Sequence, residues 1–312
     1  MSIALTRASS AHFGLRWLWI TPLVLVTALI AGTAIGETPI PVDTIVKVLA
    51  NQMIGTDYPV DRIDAGIIWN YRLSRAVVAA CCGTSLALAG VVLQALLRNP
   101  LADPYLMGIS AGASTGAVAV AVAGLGAGAL SLSLGAFIGA LLSFGIVIML
   151  AHAANSGVGG GRGVQAAGAI ILAGIAGSQL FNALTAFIIT KSASAEQARG
   201  IMFWLMGNLS GVRWADVTLA VPAALFGLLV CLWHRRSLDA FTFGADSAAS
   251  MGIAVRPVRG MLIIAMALVT AVMVSIVGAI GFVGLVIPHA MRFIVGSRHT
   301  RLVPATALAG AV

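Results

Sequence analysis

The residues from Ala76 to Leu97 read AVVAACCGTSLALAGVVLQALL and contain no charged side chain. A stretch of about 20 such residues can cross the hydrocarbon core of a bilayer as an α-helix. The composition extends this interpretation to the whole chain, because 60% of its 312 residues are hydrophobic, 9% are charged and the mean hydropathy is +1.03. The apolar runs lack the strict alternation of a membrane β-barrel. The sequence therefore predicts an all-α, polytopic membrane helix bundle.

Comparable apolar runs recur on both sides of this stretch. They cover Trp17–Gly36, Tyr105–Val122, Ala129–Ala151, Ala166–Thr190, Ala215–Trp233 and Met261–Ala279. A shorter run covers Phe282–Val295, and another begins near Leu302. We expect eight to nine membrane helices in a single transmembrane domain over residues 1–312, with no room for a water-exposed catalytic domain.

The distribution of charge predicts how the chain is oriented. With the amino terminus in the cytoplasm, eleven of the 18 Lys and Arg residues and three of the ten acidic residues fall on the cytoplasmic side. The net charge is then +8 inside and zero outside, as the preference for basic residues in cytoplasmic loops requires. The pI of about 10.4 therefore reports membrane topology, and no nucleic-acid partner is expected.

Motifs for catalysis are missing from the sequence. It has no Gly-Lys-Ser/Thr phosphate loop, no His or Cys cluster with metal-ligand spacing and no recognisable pair of nucleophile and base. The chain is therefore not expected to be an enzyme or to hold a cofactor or a metal. The interiors of the long apolar runs also lack Asp, Glu, Lys and Arg, which disfavours an ion-coupled carrier. A passive channel or carrier remains the weaker alternative to a pore that another subunit powers.

Four polar residues in the fifth apolar run are candidates for a translocation path. Ser178, Asn182 and Thr185 are spaced for one helical face, and Gln179 flanks them. They could line a weakly polar path, or they could form hydrogen bonds between packed helices. The spacing leaves both open.

The longest loop expected in the cytoplasm runs from His234 to Arg259 and predicts two short helices. Gly244 can end the first helix and Gly252 can cap the second. Apolar residues occur among polar ones, and they include Leu238, Phe241, Phe243 and Met251. Such a loop could be gripped by a cytoplasmic protein or could rest on the membrane.

Two arginines precede the run at Ala76 on the predicted outer side. Arg72 and Arg75 are three residues apart and would share one helical face, where they could pair with carboxylates of a partner. They could also anchor the helix by reaching lipid headgroups.

Three blocks of sequence resemble a known family. Arg72 to Arg75 read RLSR, Arg98 to Pro104 read RNPLADP, and Gly281 to His289 read GFVGLVIPH. The chain from about residue 65 resembles the permease subunits of bacterial ABC importers for iron–siderophore complexes, haem and cobalamin, the FecCD type. The motif positions that carry this resemblance are Asn99, Pro100, Asp103, Pro104, Gly108, Gly112, Pro288, His289 and Arg292.

The resemblance implies a fold and a set of partners. Each permease would have about ten helices and sit in the bacterial inner membrane with its lipids. It would pair with a second permease, bind two ATP-binding subunits that hold ATP and Mg, and receive an iron–siderophore complex from an extracytoplasmic binding protein. Haem or cobalamin is the alternative cargo. The segment Leu238–Gly252 matches the part that grips the ATP-binding subunit, through Leu238, Phe241, Phe243, Gly244, Met251 and Gly252.

The resemblance also gives Arg72 and Arg75 a role, since they match a pair of outer arginines that meets the binding protein. The chain departs from the family pattern in two places. Ser74 stands where proline is common, and the chain stops at Val312, eleven residues into an apolar run. We therefore expect the last one to two helices of the family fold to be missing.

Overall fold

The computed structural model describes residues 23–36, 38–124, 131–157 and 164–312. The predicted span Trp17–Gly36 lies partly outside these residues, and the amino-terminal charges used for orientation lie wholly outside them. The regular elements in the described part are helical, in agreement with the predicted all-α class. They are α1 (Leu23–Ala34), α2 (Val42–Ile54), α3 (Arg62–Gly66), α4 (Ser74–Leu97), α5 (Ile109–Val122), α6 (Leu132–Gly157), α7 (Val164–Ser192), α8 (Ala195–Leu205), α9 (Trp214–Trp233), α10 (Arg235–Phe241), α11 (Ala245–Ser250), α12 (Val255–Val277), α13 (Val283–Val295) and α14 (His299–Ala311).

Five helical stretches of the described chain are long and apolar enough to cross a membrane, which is fewer than the eight to nine predicted. They are Arg62–Leu97, Leu132–Ala154, Gly168–Ser192, Trp214–Trp233 and Val255–Val277. Shorter apolar helices account for most of the difference, since α5 has 14 residues and α13 has 13. At 1.5 Å per residue each covers only about 20 Å, less than the bilayer core of about 30 Å.

The prediction of one span over Tyr105–Val122 is wrong. Pro104–Met107 forms a 3-10 helix, and Gly108 adopts φ +74° before α5 begins. The 3-10 turn packs closely on α7, because a Cβ built on Gly174 would lie 1.6 Å from the carbonyl oxygen of Leu106. The chain therefore bends sharply where the apolar pattern is continuous.

Helix α4 is the buried centre of the bundle. It packs against α9, α12, α13 and α14, and its residues from 85 to 97 are all buried. A helix that is apolar all round is typical of such a position. A π-helical stretch, Ile67–Leu73, joins α3 to α4 without a break.

Glycines permit the closest helix contacts, as the four-residue spacing of Gly108, Gly112 and Gly116 predicts. A Cβ on Gly112 would lie 2.3 Å from the carbonyl oxygen of Gly139, and a Cβ on Gly116 would lie 2.0 Å from that of Gly135. Only a residue without a side chain allows α5 and α6 to approach this closely.

Candidate functional site

The segment Leu238–Gly252, which we call the coupling segment, contains the last residues of α10 and the whole of α11, the two short helices that the sequence predicts. Helix α10 ends at Phe241, Gly244 turns the chain with φ +106°, and α11 follows. Gly252 adopts φ +82°, its N–H donates to the carbonyl of Ala249, and the N–H of Ile253 donates to that of Ala248. This pair of bonds is the Schellman arrangement that stops a helix. The predicted roles of Gly244 and Gly252 in the backbone are confirmed.

The apolar residues of the coupling segment divide into an inner and an outer set. Leu238 is fully buried and Phe241 is 3% exposed, and both belong to the main apolar core. Phe243 is 71% exposed, and Met251 is also exposed. The inner pair fixes the segment to the bundle, while the outer pair leaves an apolar surface available to another protein.

A polar contact ties the coupling segment to α14. The Oδ1 atom of Asp239 accepts a hydrogen bond from the backbone N–H of His299 at 2.8 Å and lies 2.8 Å from Nδ1 of the same residue. Burial lowers the pKa of His299, and the bond to Asp239 partly opposes this effect. The neutral imidazole is therefore the favoured form, with Nδ1–H as donor.

The motif from Arg98 to Pro104 forms a turn beside the coupling segment. Arg98 adopts φ +50° at the end of α4, and a Cβ on Gly244 would lie 3.4 Å from its Nη1. Asn99 Oδ1 accepts from the N–H of Leu101, and Asp103 Oδ1 accepts from the N–H of Tyr105. The polar side chains thus cap successive turns of the loop, and the intervening prolines are Pro100 and Pro104.

Gln94 joins this loop to α13. Its Nε2 lies 3.3 Å from each of the carbonyl oxygens of Ala102, Gly284 and Leu285, and Nη1 of Arg292 donates to its Oε1. A Cβ on Gly90 would lie 1.8 Å from the carbonyl oxygen of Gly284, so α4 and α13 approach closely here.

Two further motif residues lie on α13. Pro288 is buried within the helix, whereas His289 is exposed and meets the ring of Phe293 edge to face at 5.0 Å.

Arg72 and Arg75 lie at the opposite end of α4 and do not share one exposed face as predicted. Arg72 is buried, and its Nη1 donates to the carbonyls of Thr33 and Ala34 at 3.2 and 3.0 Å. Its Nη2 donates to the carbonyl of Thr38. Arg75 is exposed. Carbonyls at the end of α1 and in the connection after it bind the guanidinium of Arg72, so of the two arginines only Arg75 offers a free charge.

The four candidate path residues on α7 differ in how far they are buried. Thr185 is buried, and its Oγ1 lies 2.7 Å from Oγ1 of Thr115 on α5. Thr185 therefore joins two helices, as in the alternative of hydrogen bonds between packed helices. Gln179 and Asn182 are exposed, and Ser178 is half-buried.

Within the described residues, no group of three His, Cys, Asp or Glu side chains is placed to hold a metal ion. Cys82 and Cys231 are buried, and Cys81 is half-buried.

A profile of the FecCD transport family matches residues 23–312. The chain belongs to the FecCD transport family. The resemblance inferred from the RLSR, RNPLADP and GFVGLVIPH blocks is thereby confirmed, and the helical membrane bundle agrees with it.

Individual relatives support this assignment. The cobalamin import system permease protein BtuC of Halobacterium salinarum is 37% identical over 244 residues, which are 78% of this chain and 63% of that protein. The chain thus spans less than two thirds of that relative's length. The Fe(3+) dicitrate transport system permease protein FecD of Escherichia coli is 30% identical over 295 residues, covering 93% of this chain and 86% of FecD.

A solved structure described as a metal-chelate type ABC transporter in an inward-facing conformation is similar in fold. Its TM-score is 0.78 at 28% identity, and the match covers 95% of this FecCD-family chain and 87% of that chain.

Sequence reasoning missed two contacts of the site. The bond between Asp239 and His299 joins residues 60 positions apart, and that between Thr115 and Thr185 joins residues 70 apart. Asp239 lies in the coupling segment, but one sequence carries no signal that it meets His299.

Proposed function

We propose that this FecCD-family chain is the permease subunit of an ATP-driven importer that carries an iron–siderophore complex across the bacterial inner membrane. One observation carries the proposal: the coupling segment is held rigidly by buried residues, yet it presents Phe243 and Met251 outward. Large apolar side chains on a fixed surface feature are typical of a protein interface. The proposed occupant of this interface is an ATP-binding subunit that carries ATP and Mg.

In the proposed mechanism the two ends of α4 lie near the contact sites for two different partners. The coupling segment lies beside Arg98 at one end, and Arg75 lies near the other, about 36 Å away along the helix. ATP binding to the partner subunits would move the coupling segment, which is tied to α14 by Asp239. ATP-driven movement of this kind requires two arrangements of the helix bundle, and the ATP-binding subunits must bind one of them more tightly than the other. In this proposal the amino terminus would lie in the cytoplasm, on the side of the coupling segment.

The remaining partners follow from the same scheme. A second permease subunit would complete the path, and Gln179 and Asn182 of α7, which are exposed, would face it. An extracytoplasmic binding protein would dock near Arg75. No bond-making chemistry is proposed for this chain.

The proposed contact between the coupling segment and the ATP-binding subunit can be tested with Phe243→Asp. We expect loss of the ATP-binding subunit from the purified complex, because the substitution places a charge in an apolar interface. Thr242→Asp is the matched control, since it adds the same charge at an exposed neighbour and keeps the phenyl ring. Phe241→Asp is unsuitable, because Phe241 is a core residue. Equal retention of the ATP-binding subunit by the Phe243→Asp chain would contradict the proposal.

Cargo identity is the finer part of the proposal. The relatives above are named for cobalamin and for Fe(3+) dicitrate, so cobalamin is the second candidate. A strain without its own importers should take up a radiolabelled ferric siderophore when it expresses this chain with its partners. Uptake of labelled cobalamin instead, with no iron uptake, would reject the iron assignment and leave the permease assignment standing.

A further inference from the structure

Helix α2 has an apolar surface that the bundle does not cover. Its Ile45 and Val48 pack with Ile40 and Ile68 in a small core. On a neighbouring sector of the same helix, Val42, Val46 and Met53 are exposed, Met53 by 74%. Positions separated by four and by seven residues lie on one side of a helix, so these three side chains form one stripe.

The polar residues of α2 point elsewhere. Asp43 and Lys47 form an ion pair at 3.1 Å beside the stripe. Asn51 closes the following loop, because its Oδ1 accepts from the N–H of Tyr58 at 2.8 Å and its Nδ2 donates to the carbonyl of the same residue at 2.9 Å. The exposed stripe therefore remains wholly apolar along about three turns.

The residues packed around the start of α2 are of types that are common at the boundary between membrane and water. It follows α1 after a short connection, and Ala34 of α1 packs against its inner core together with Trp69. Trp69 stacks on Trp214 at 4.7 Å, and the guanidinium of Arg213 lies 4.5 Å from the ring centre of Tyr71. Trp and Tyr side chains are enriched at both membrane–water interfaces, and Arg can keep its charged head in water there while its stem lies on apolar surface.

We propose that α2 lies in the headgroup region of the membrane, on the side opposite the coupling segment, with Val42, Val46 and Met53 inserted among lipid acyl chains. An amphipathic helix of this kind binds a lipid surface through its apolar sector. Arg72 ties the α1–α2 connection to the stretch leading into α4, so lipid binding by α2 anchors the end of α4 that lies away from the coupling segment. The inference rests on membrane insertion alone and is independent of the cargo and of the ATP-binding partner.

Spin labelling of the full chain in phosphatidylcholine nanodiscs tests this placement. Met53→Cys and Val46→Cys are labelled in a background without Cys81, Cys82 and Cys231, and Asp57→Cys, on the exposed loop after α2, is the control. We expect the ratio of oxygen to nickel-chelate accessibility to be several-fold higher at positions 53 and 46 than at 57. Free access of the nickel chelate to position 53 would overturn the proposal in favour of a water-exposed docking face. Exclusion of both reagents would overturn it in favour of a protein contact.

A second measurement leaves the native cysteines in place. Brominated lipids should quench the added fluorescence of Met53→Trp but not that of Asp57→Trp. Equal quenching of the two would reject the lipid-bound helix even if the cysteine-free background failed to fold.

Discussion

Arg72 and Arg75 are three residues apart, yet their guanidinium groups have different surroundings. Arg75→Glu should weaken docking of the binding protein without lowering thermal stability, because it reverses an exposed charge. Arg72→Gln should instead destabilise the fold by about 1–3 kcal/mol, since the carbonyls of Thr33, Ala34 and Thr38 lose the buried guanidinium that donates to them. Binding measured across a salt series and unfolding in detergent separate the two effects. Parent-like affinity of the Arg75→Glu chain at every salt concentration would exclude Arg75 from docking.

The His299 imidazole predicts a pH dependence of stability. Its pKa in the folded chain is below the ordinary value of 6.5, first because of burial, and Asp239 opposes the shift. Near pH 6 the unfolded chain therefore binds more protons at this residue, so stability falls as the pH drops through about 6.5. Melting curves from pH 7.5 to 5.5 should show a smaller acid-induced loss for His299→Gln than for the parent. Identical slopes would show that His299 does not titrate in this way.

Asp239 predicts a defect in coupling. Asp239→Ala removes both bonds to His299. The coupling segment should still bind the ATP-binding subunit through its apolar side chains, but its movement should be transmitted less fully to α14. We expect ATP hydrolysis to be retained and transport for each ATP hydrolysed to fall. Asp246→Ala, an exposed acid on the same segment, is the control. An unchanged transport-to-hydrolysis ratio in Asp239→Ala would contradict this role.

At the scale of elements, contacts through glycine set how closely helices approach. Gly90→Ala would place a methyl group 1.8 Å from the carbonyl oxygen of Gly284, so α4 and α13 must separate. We expect destabilisation of about 1–3 kcal/mol, as for other overpacked cores. Gly145→Ala on α6 meets nothing within 4 Å and should not destabilise. Thermal unfolding in one detergent compares the pair, and equal melting temperatures would reject the close approach.

The sequence predicts well those elements whose formation depends on residues that are close together in the chain. The apolar run at Ala76 predicts most of α4, and Gly244 with Gly252 predicts the two helices of the coupling segment. The break at Gly108 escapes prediction because glycine is common inside membrane helices. The burial of Arg72 and of Thr185 depends on α1 and α5, which are far away in sequence. One sequence does not reveal which polar residue such a distant helix will bind.

At the scale of the whole molecule, we propose that the helix bundle forms a path for the cargo and that partner subunits supply the energy. The coupling segment and Arg75 lie near opposite ends of α4. The movement driven by ATP and the cargo would therefore reach the bundle from opposite sides of the membrane. The most direct test is uptake of a labelled ferric siderophore into proteoliposomes. The chain with its second permease, ATP-binding subunits, binding protein and ATP should accumulate the chelate, and omission of ATP should abolish accumulation. Equal uptake by this chain alone, without nucleotide or any partner, would contradict the account.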